Sequence, residues 1–240
     1  MAWPARSTLP GLAYDVSDLQ QRSKELTVSE LVRANGVLRM AKDMVERDVG
    51  LFFPARGELK PSIICAHDAS FARQPNEGSQ QGYMIMASDT DMKGNLAVLI
   101  DWCSSKIHRV TKSTLAAEAA AASYGFDRAV FARAVLAEIL YGWPRRTKHW
   151  RNLVKLVGGL QVSDCRSLVD LCHRQGSLPR ERRVALDAAD LREGLEEGTK
   201  LQWTNTENMV ADPLTKHFAM QSVLEGLLRT ASWHPRQDKK

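Results

Sequence analysis

Four acidic residues, Asp68, Glu118, Asp164 and Asp212, occur in separate short motifs: His67-Asp68-Ala69-Ser70-Phe71-Ala72, Ser113-Thr114-Leu115-Ala116-Ala117-Glu118, Val162-Ser163-Asp164-Cys165-Arg166-Ser167 and Ala211-Asp212-Pro213-Leu214-Thr215-Lys216. Several carboxylates are the ligand set that hard divalent cations such as Mg²⁺ take, and a pair of such ions can clamp the attacking and leaving oxygens of a phosphodiester. The set can act only if the fold gathers it, so the elements that carry each acid decide the matter.

The first acid ends a mostly apolar run, Ser62 to His67, that predicts a buried strand. Two further strands are expected over 82–87 and 96–102, separated by a turn-rich stretch, which makes three antiparallel strands in succession. Ser113 or Thr114 can cap the alanine-rich run 115–140, a long helix with Glu118 in its first turn or so. A short strand, Leu160 to Ser163, leads to Asp164. Helices over 167–173 and 187–197, a fifth strand over 200–204, and a last helix starting near Glu207 and holding Asp212 complete the expected order. Upstream, Thr27 and Glu30 fit a capping box before Leu31, Ala34, Val37, Leu38, Ala41 and Met44, which recur at helical spacing. Residues 15–24 are polar and predicted helical. Hairpin-linked strands followed by alternating helices and strands imply an α/β fold with a mixed sheet and helices on both faces. If the first and fourth strands are parallel neighbours, Asp68 and Asp164 lie side by side.

At 240 residues, 44% hydrophobic and 25% charged, the chain is long enough to bury a core. A formal charge of +5 and a pI near 9.1 favour a polyanionic partner. Cys65, Cys103, Cys165 and Cys172 show no CxxC spacing, so buried reduced thiols are expected rather than a zinc site. The first residues lead into no apolar signal-like region, and no run reaches the roughly 20 apolar residues that span a bilayer. The expectation is an intracellular chain, cytoplasmic or nuclear, with no signal peptide and no membrane partner.

The four motifs, in this order, resemble the ribonuclease H domain of copia-type retrotransposon Pol polyproteins, across roughly Ile63 to Lys216. Ser79-Gln80-Gln81-Gly82-Tyr83 and Asp101-Trp102-Cys103-Ser104-Ser105-Lys106 look like the family's second-strand entry and third-strand exit, and Ala211 to Lys216 is the most specific piece. Leu31 to Lys42 looks like the last helix of the adjoining reverse transcriptase, although no Tyr-x-Asp-Asp occurs. The chain departs from the family at Ser70, at Cys165 and at Arg182-Arg183-Val184-Ala185-Leu186-Asp187, which lacks the usual His; no His shortly precedes Asp212.

The resemblance implies a ribonuclease H-like five-stranded sheet in residues 58–220, an N-terminal helical segment over 1–57 that ends a reverse transcriptase, and a C-terminal helix and disordered basic tail over 221–240. It implies hydrolysis of the RNA strand of an RNA–DNA hybrid by two Mg²⁺ ions about 3.5 to 4 Å apart, with Mn²⁺ able to substitute. Asp68 would bridge both ions, Glu118 and Asp164 would hold the one near the leaving oxygen, and Asp212 the one that activates water. Clustered carboxylates repel one another, so they should titrate together rather than singly. Neutral donors suited to the 2′-hydroxyls of a hybrid are Ser70, Ser79, Gln80 and Asn205. Arg182 and Arg183, with Arg145, Arg146, Lys148, Arg151 and Arg180, could meet phosphates. A reverse transcriptase domain supplied by a longer polyprotein is a further implied partner. Two other classes fit the same residues: a decayed module that binds but does not cut, and a DDE-type integrase or transposase. The latter draws on three acids and lacks the terminal Ala-Asp-x-Leu-Thr-Lys.

Overall fold

The capping box expected at Thr27 forms: the Thr27 backbone N–H donates to Glu30 Oε2 at 3.0 Å, and the helix α3 (Val28–Glu46) follows. The computed structural model describes residues 1–24, 27–55, 61–74, 77–89, 95–142, 150–174, 176, 179–217 and 221–236. Before α3 come α1 (Ala2–Ser7), a 3-10 turn (Pro10–Leu12) and α2 (Ala13–Gln21).

Five strands form one sheet in the order β3-β2-β1-β4-β5, comprising β1 (Pro61–Gln74), β2 (Gly78–Asp89), β3 (Val98–Lys106), β4 (Gly158–Ser163) and β5 (Thr199–Trp203). The first three pair antiparallel; β1 with β4 and β4 with β5 are parallel. This is the ribonuclease H-like arrangement. β1 does not stop at Asp68, because Ala69 and Ser70 continue the ladder against Gln81 and Gln80. Strand alternation divides its side chains between two cores. Ile63 and Cys65 pack with Ala129 and Ala137 of α4 (Thr114–Tyr141), while Ile64 and Ala66 face the other way. Gly125 lets α4 lie close to the sheet, since a Cβ there would sit 2.9 Å from Cys65 Sγ. Beyond α4, its alanine face packs against α6 (Arg166–His173) and α7 (Arg182–Glu196), while α5 (Arg151–Val154) adds Leu153 to the core between α4 and the sheet.

The opposite face is covered by Ala5, Leu12, Val16, Val37 and Met44 from α1 to α3 and the adjoining turn, by Met209 to Leu214, and by Leu224, Leu227 and Leu228 of α8 (Gln221–Thr230). The polar helix expected over 15–24 is α2, which ends at Gln21 and whose buried side includes Asp15 and Asp18. α7 starts at Arg182 rather than at Asp187. No helix among the described residues is long and apolar enough to cross a membrane. Of the expected disordered tail, residues 237–240 lie outside the described residues.

Candidate metal centre

The parallel ladder between β1 and β4 ends at Ala66 opposite Val162. Asp68 and Asp164 are each two residues beyond that pair, so the same register carries them side by side to where the two strands part, Asp68 within β1 and Asp164 just past the end of β4. Asp212 arrives from the covered face. It does not sit in a helix, as the sequence suggested, but opens a 3-10 turn, Asp212–Leu214, separated by Met209–Ala211 from a second such turn, Thr206–Asn208. Pro213 at the first positions suits such a turn, and a backbone bond from Thr215 to the Asp212 carbonyl at 3.1 Å closes it.

Gly82 is what lets this turn reach the sheet. It pairs with Asp68 across the β1–β2 ladder, and a Cβ on it would lie 2.5 Å from Leu214 Cβ. The Ser104 hydroxyl from β3 donates to the Leu214 carbonyl at 2.6 Å, and the Thr215 hydroxyl donates to Asp68 Oδ2. One carboxylate oxygen from each of Asp68, Asp164 and Asp212 lies within 4.8 Å of the others. Glu118, near the start of α4, stands beside this trio rather than in it. It is 4% exposed, and its Oε2 has no hydrogen-bond partner.

The electrostatics follow from burial and crowding. Asp68, 1% exposed, has its carboxyl pushed up to about 7 by burial and by the Asp164 and Asp212 charges, while Lys216 and the Thr215 hydroxyl pull it back. Glu118 is raised well above the ordinary carboxyl range, first by burial and then by Asp68 and Asp164. Asp164 is raised by burial and restrained by the Thr206 hydroxyl, which donates to its Oδ2 at 2.9 Å. Burial alone would depress the Lys216 ammonium, but Asp68, Asp212 and Asp164 outweigh it and raise its pKa. Lys216 Nζ pairs with Asp212 Oδ1 and lies 3.5 Å from Asp68 Oδ2. Thr206, Thr215 and Lys216 are functional neighbours that sequence reasoning did not single out. The signal available was the i,i+4 spacing of Asp212 and Lys216.

A divalent cation fits these residues. All the donors are hard carboxylate oxygens, three of them converge, and a fourth is buried without a partner, which is the composition that Mg²⁺-type ions require.

The residues expected to touch nucleic acid divide. Arg182 and Arg183 are exposed at the start of α7, with Arg183 Nη1 donating to the Val110 carbonyl at 3.1 Å, and Asn205 is half-buried. Ser70, Ser79 and Gln80 are buried instead. Ser79 Oγ accepts from the Ala72 backbone and shares a 2.8 Å hydrogen bond with Thr111. The Gln80 amide is held by Ser104, Ser17 and Gln21, the last two on α2. With α2 in place, Gln80 does not reach solvent, and no pattern around Gln80 signals that a helix about 60 residues upstream would cover it. Arg180 is exposed and Arg151 pairs with Glu193 at 3.1 Å, whereas Arg145, Arg146 and Lys148 lie outside the described residues.

No protein-family model matches the sequence, and no curated protein matches it. Among solved structures, the chain is similar to ribonuclease H1 from the halophilic archaeon Halobacterium salinarum NRC-1, at 13% identity and a TM-score of 0.43 over 69% of this chain and 98% of that one. It is also similar to LC11-RNase H1, solved in complex with an RNA/DNA hybrid, at 15% identity and a TM-score of 0.40 over 64% and 94% of the two chains. A third likeness is to the prototype foamy virus protease-reverse transcriptase, at 9% identity and 0.34, over 75% of this chain and 21% of that one.

Proposed function

We propose that this chain is a divalent-metal-dependent ribonuclease H that hydrolyses the RNA strand of RNA–DNA hybrids, as part or remnant of a copia-type Pol polyprotein inside the cell. The observation that carries the reading is the convergence of Asp68, Asp164 and Asp212 from three separate elements to within 4.8 Å, with the buried, unpartnered Glu118 Oε2 beside them. A structural ion pair or helix cap explains one such acid; it does not explain four gathered where two parallel strands part.

In this reading Asp68 is the central ligand, Glu118 and Asp164 flank it on one side, and Asp212 on the other. Two bound Mg²⁺ ions, or Mn²⁺ in their place, would supply Lewis-acid stabilisation of the attacking and leaving oxygens. The chain's own residues fix the carboxylates: Thr215 orients Asp68, Thr206 orients Asp164, and the Trp203 indole N–H holds the Asp164 backbone carbonyl at 2.8 Å. Burial keeps competing water from the inner oxygens and makes each charge act through a lower dielectric. Arg182, Arg183 and Asn205 are the proposed contacts for the hybrid's phosphates and sugars. Residues 1–57 are proposed as the end of a reverse transcriptase, whose polymerase domain would add phosphate contacts in a longer chain; 58–220 as the nuclease domain; and 221–240 as its C-terminal extension.

The test is selectivity. With labelled RNA–DNA hybrid, duplex RNA and duplex DNA, loss of the hybrid's RNA strand alone in Mg²⁺ is the expected outcome. Hybrid binding, measured separately, should weaken as salt rises. Salt-sensitive binding without cleavage would replace the enzyme by a binding module. Cutting of duplex DNA alone would point to the integrase class.

A further inference from the structure

Lys216 is the residue at this centre that the two-metal reading leaves without a part. Among the described residues it is the cation paired with the cluster, touching Asp212 Oδ1 and lying 3.5 Å from Asp68 Oδ2. The placement is built in. Asp212 and Lys216 are four residues apart around a single tight turn, and Thr215 between them donates to the same Asp68 oxygen, so the segment presents a hydroxyl and an ammonium together to one edge of the cluster. The other edge is different. Glu118 Oε2 has no partner, and Asp164 receives a neutral hydroxyl from Thr206.

We propose that Lys216 is a resident counter-cation that competes with a divalent ion for the Asp68–Asp212 edge, so that the two edges of the cluster differ in metal affinity. The proposal rests on the reading of the cluster as a metal centre. Without an ion, four carboxylates crowd together at a largely buried point, and the ammonium offsets part of their repulsion. An ion held by Asp68 and Asp212 would share those carboxylates with the Lys216 ammonium or displace it from them. At the Glu118–Asp164 edge no cation among the described residues touches a carboxylate, although the Lys216 charge still acts on Asp164 and Glu118 from further away. The four-carbon stem of a lysine can swing its head group aside, and the Lys216 side chain is 27% exposed, so displacement needs no backbone movement.

The test is Mg²⁺ binding to the full chain at pH 8.5, by calorimetry and by melting temperature with and without chelator. Lys216→Met removes the charge and keeps the stem; Lys216→Gln also keeps a donor for Asp212, should the Met variant fold poorly. The expected result is one tighter and one weaker Mg²⁺ site in the wild type, with the weaker site tightening about tenfold or more in either variant, equivalent to about 1.4 kcal/mol. In chelator the variants should melt lower than wild type, and the rise that Mg²⁺ produces should be larger. Lys216→Arg should behave like the wild type. Equal or weaker Mg²⁺ affinity in both charge-removing variants overturns the lysine's role and leaves the metal centre standing. No Mg²⁺ bound by any form overturns both.

Discussion

Asp68 concentrates the physics of the centre in one side chain. Its carboxyl, pushed up to about 7 by burial and neighbouring acids, holds its proton more tightly in the folded chain than at the ordinary 3.8. That contribution to stability is fully present below the ordinary value and is lost as pH rises through about 7. Next to it, His67 works in the opposite sense: burial holds it down to about 4, so the folded chain resists its protonation, and stability is lost as pH falls through that range. The two offset one another between about pH 4 and 6.5, and above that only the acid effect is left of this pair. The melting temperature in chelator should therefore fall between about pH 6.5 and 8, and Asp68→Asn should reduce the fall, with the raised Glu118 carboxyl contributing in the same direction. A flat wild-type profile would contradict the assignment. Mg²⁺ should raise the melting temperature more at pH 8 than at pH 6, because the ion binds the ionised carboxylates and displaces their protons. At this scale the four acids were legible, since each lies in a distinctive motif. Thr215 and Thr206 were not, because their contacts depend on the shape of two tight turns that no periodicity announces; for Lys216 the only signal was its i,i+4 spacing from Asp212.

The elements that aim these residues make their own predictions. α4 is capped by Ser113, whose hydroxyl accepts from the Ala116 backbone at 3.1 Å, and Glu118 lies just inside the first stretch of helix. Ser113→Ala should cost about 1 kcal/mol of stability, readable as a lower denaturant midpoint. Gly82→Ala attacks the opposite wall: its methyl would fall on Leu214 Cβ and push the Asp212 turn away from Asp68. An overpacking cost of about 1–3 kcal/mol is expected, together with weaker Mg²⁺ binding; an alanine variant with unchanged metal affinity would mean that the turn's close approach is dispensable. The long helix, its cap and the strand pairs could be read from alanine content, cap residues and apolar runs. The helix expected around Asp212 could not be distinguished from two 3-10 turns, because Pro213 is compatible with the start of either. The extension of β1 past Asp68 was hidden because its polar residues are held by pairing with Gln80 and Gln81, a partner that only the hairpin supplies.

Across the whole molecule, the N-terminal helices share one core with the sheet that carries the acids. Leu12, Val16, Val37 and Met44 are buried against the face formed by Ile64, Ala66, Met84 and Val162, in the same cluster as Met209 to Leu214. α2 also reaches the site's surroundings directly: Asp15 pairs with His217, and the Gln74 amide donates to Tyr14 Oη at 3.1 Å. Each fully buried large apolar side chain is worth about 1.5–3 kcal/mol, against a total stability of about 5–15 kcal/mol for a typical domain. Removing residues 1–57 should therefore abolish cooperative unfolding, with loss of near-ultraviolet circular dichroism. A truncated chain that melts like the full one would show that this cover is dispensable. The helical character of 28–46 was plain in the sequence; that its partner is the back of the acid-bearing sheet was not, because an amphipathic pattern shows that a face is buried and not what buries it.

The most direct measurement of the central claim is cleavage of labelled RNA–DNA hybrid by the full chain in Mg²⁺ and in chelator, beside Asp68→Asn and Asp164→Asn variants whose fold is checked by circular dichroism. The account predicts Mg²⁺-dependent cutting by the wild type and a loss of about 10³-fold or more in each variant, the several kcal/mol that metal-ion stabilisation of a transition state is worth. Cleavage that persists unchanged in both folded variants would contradict it.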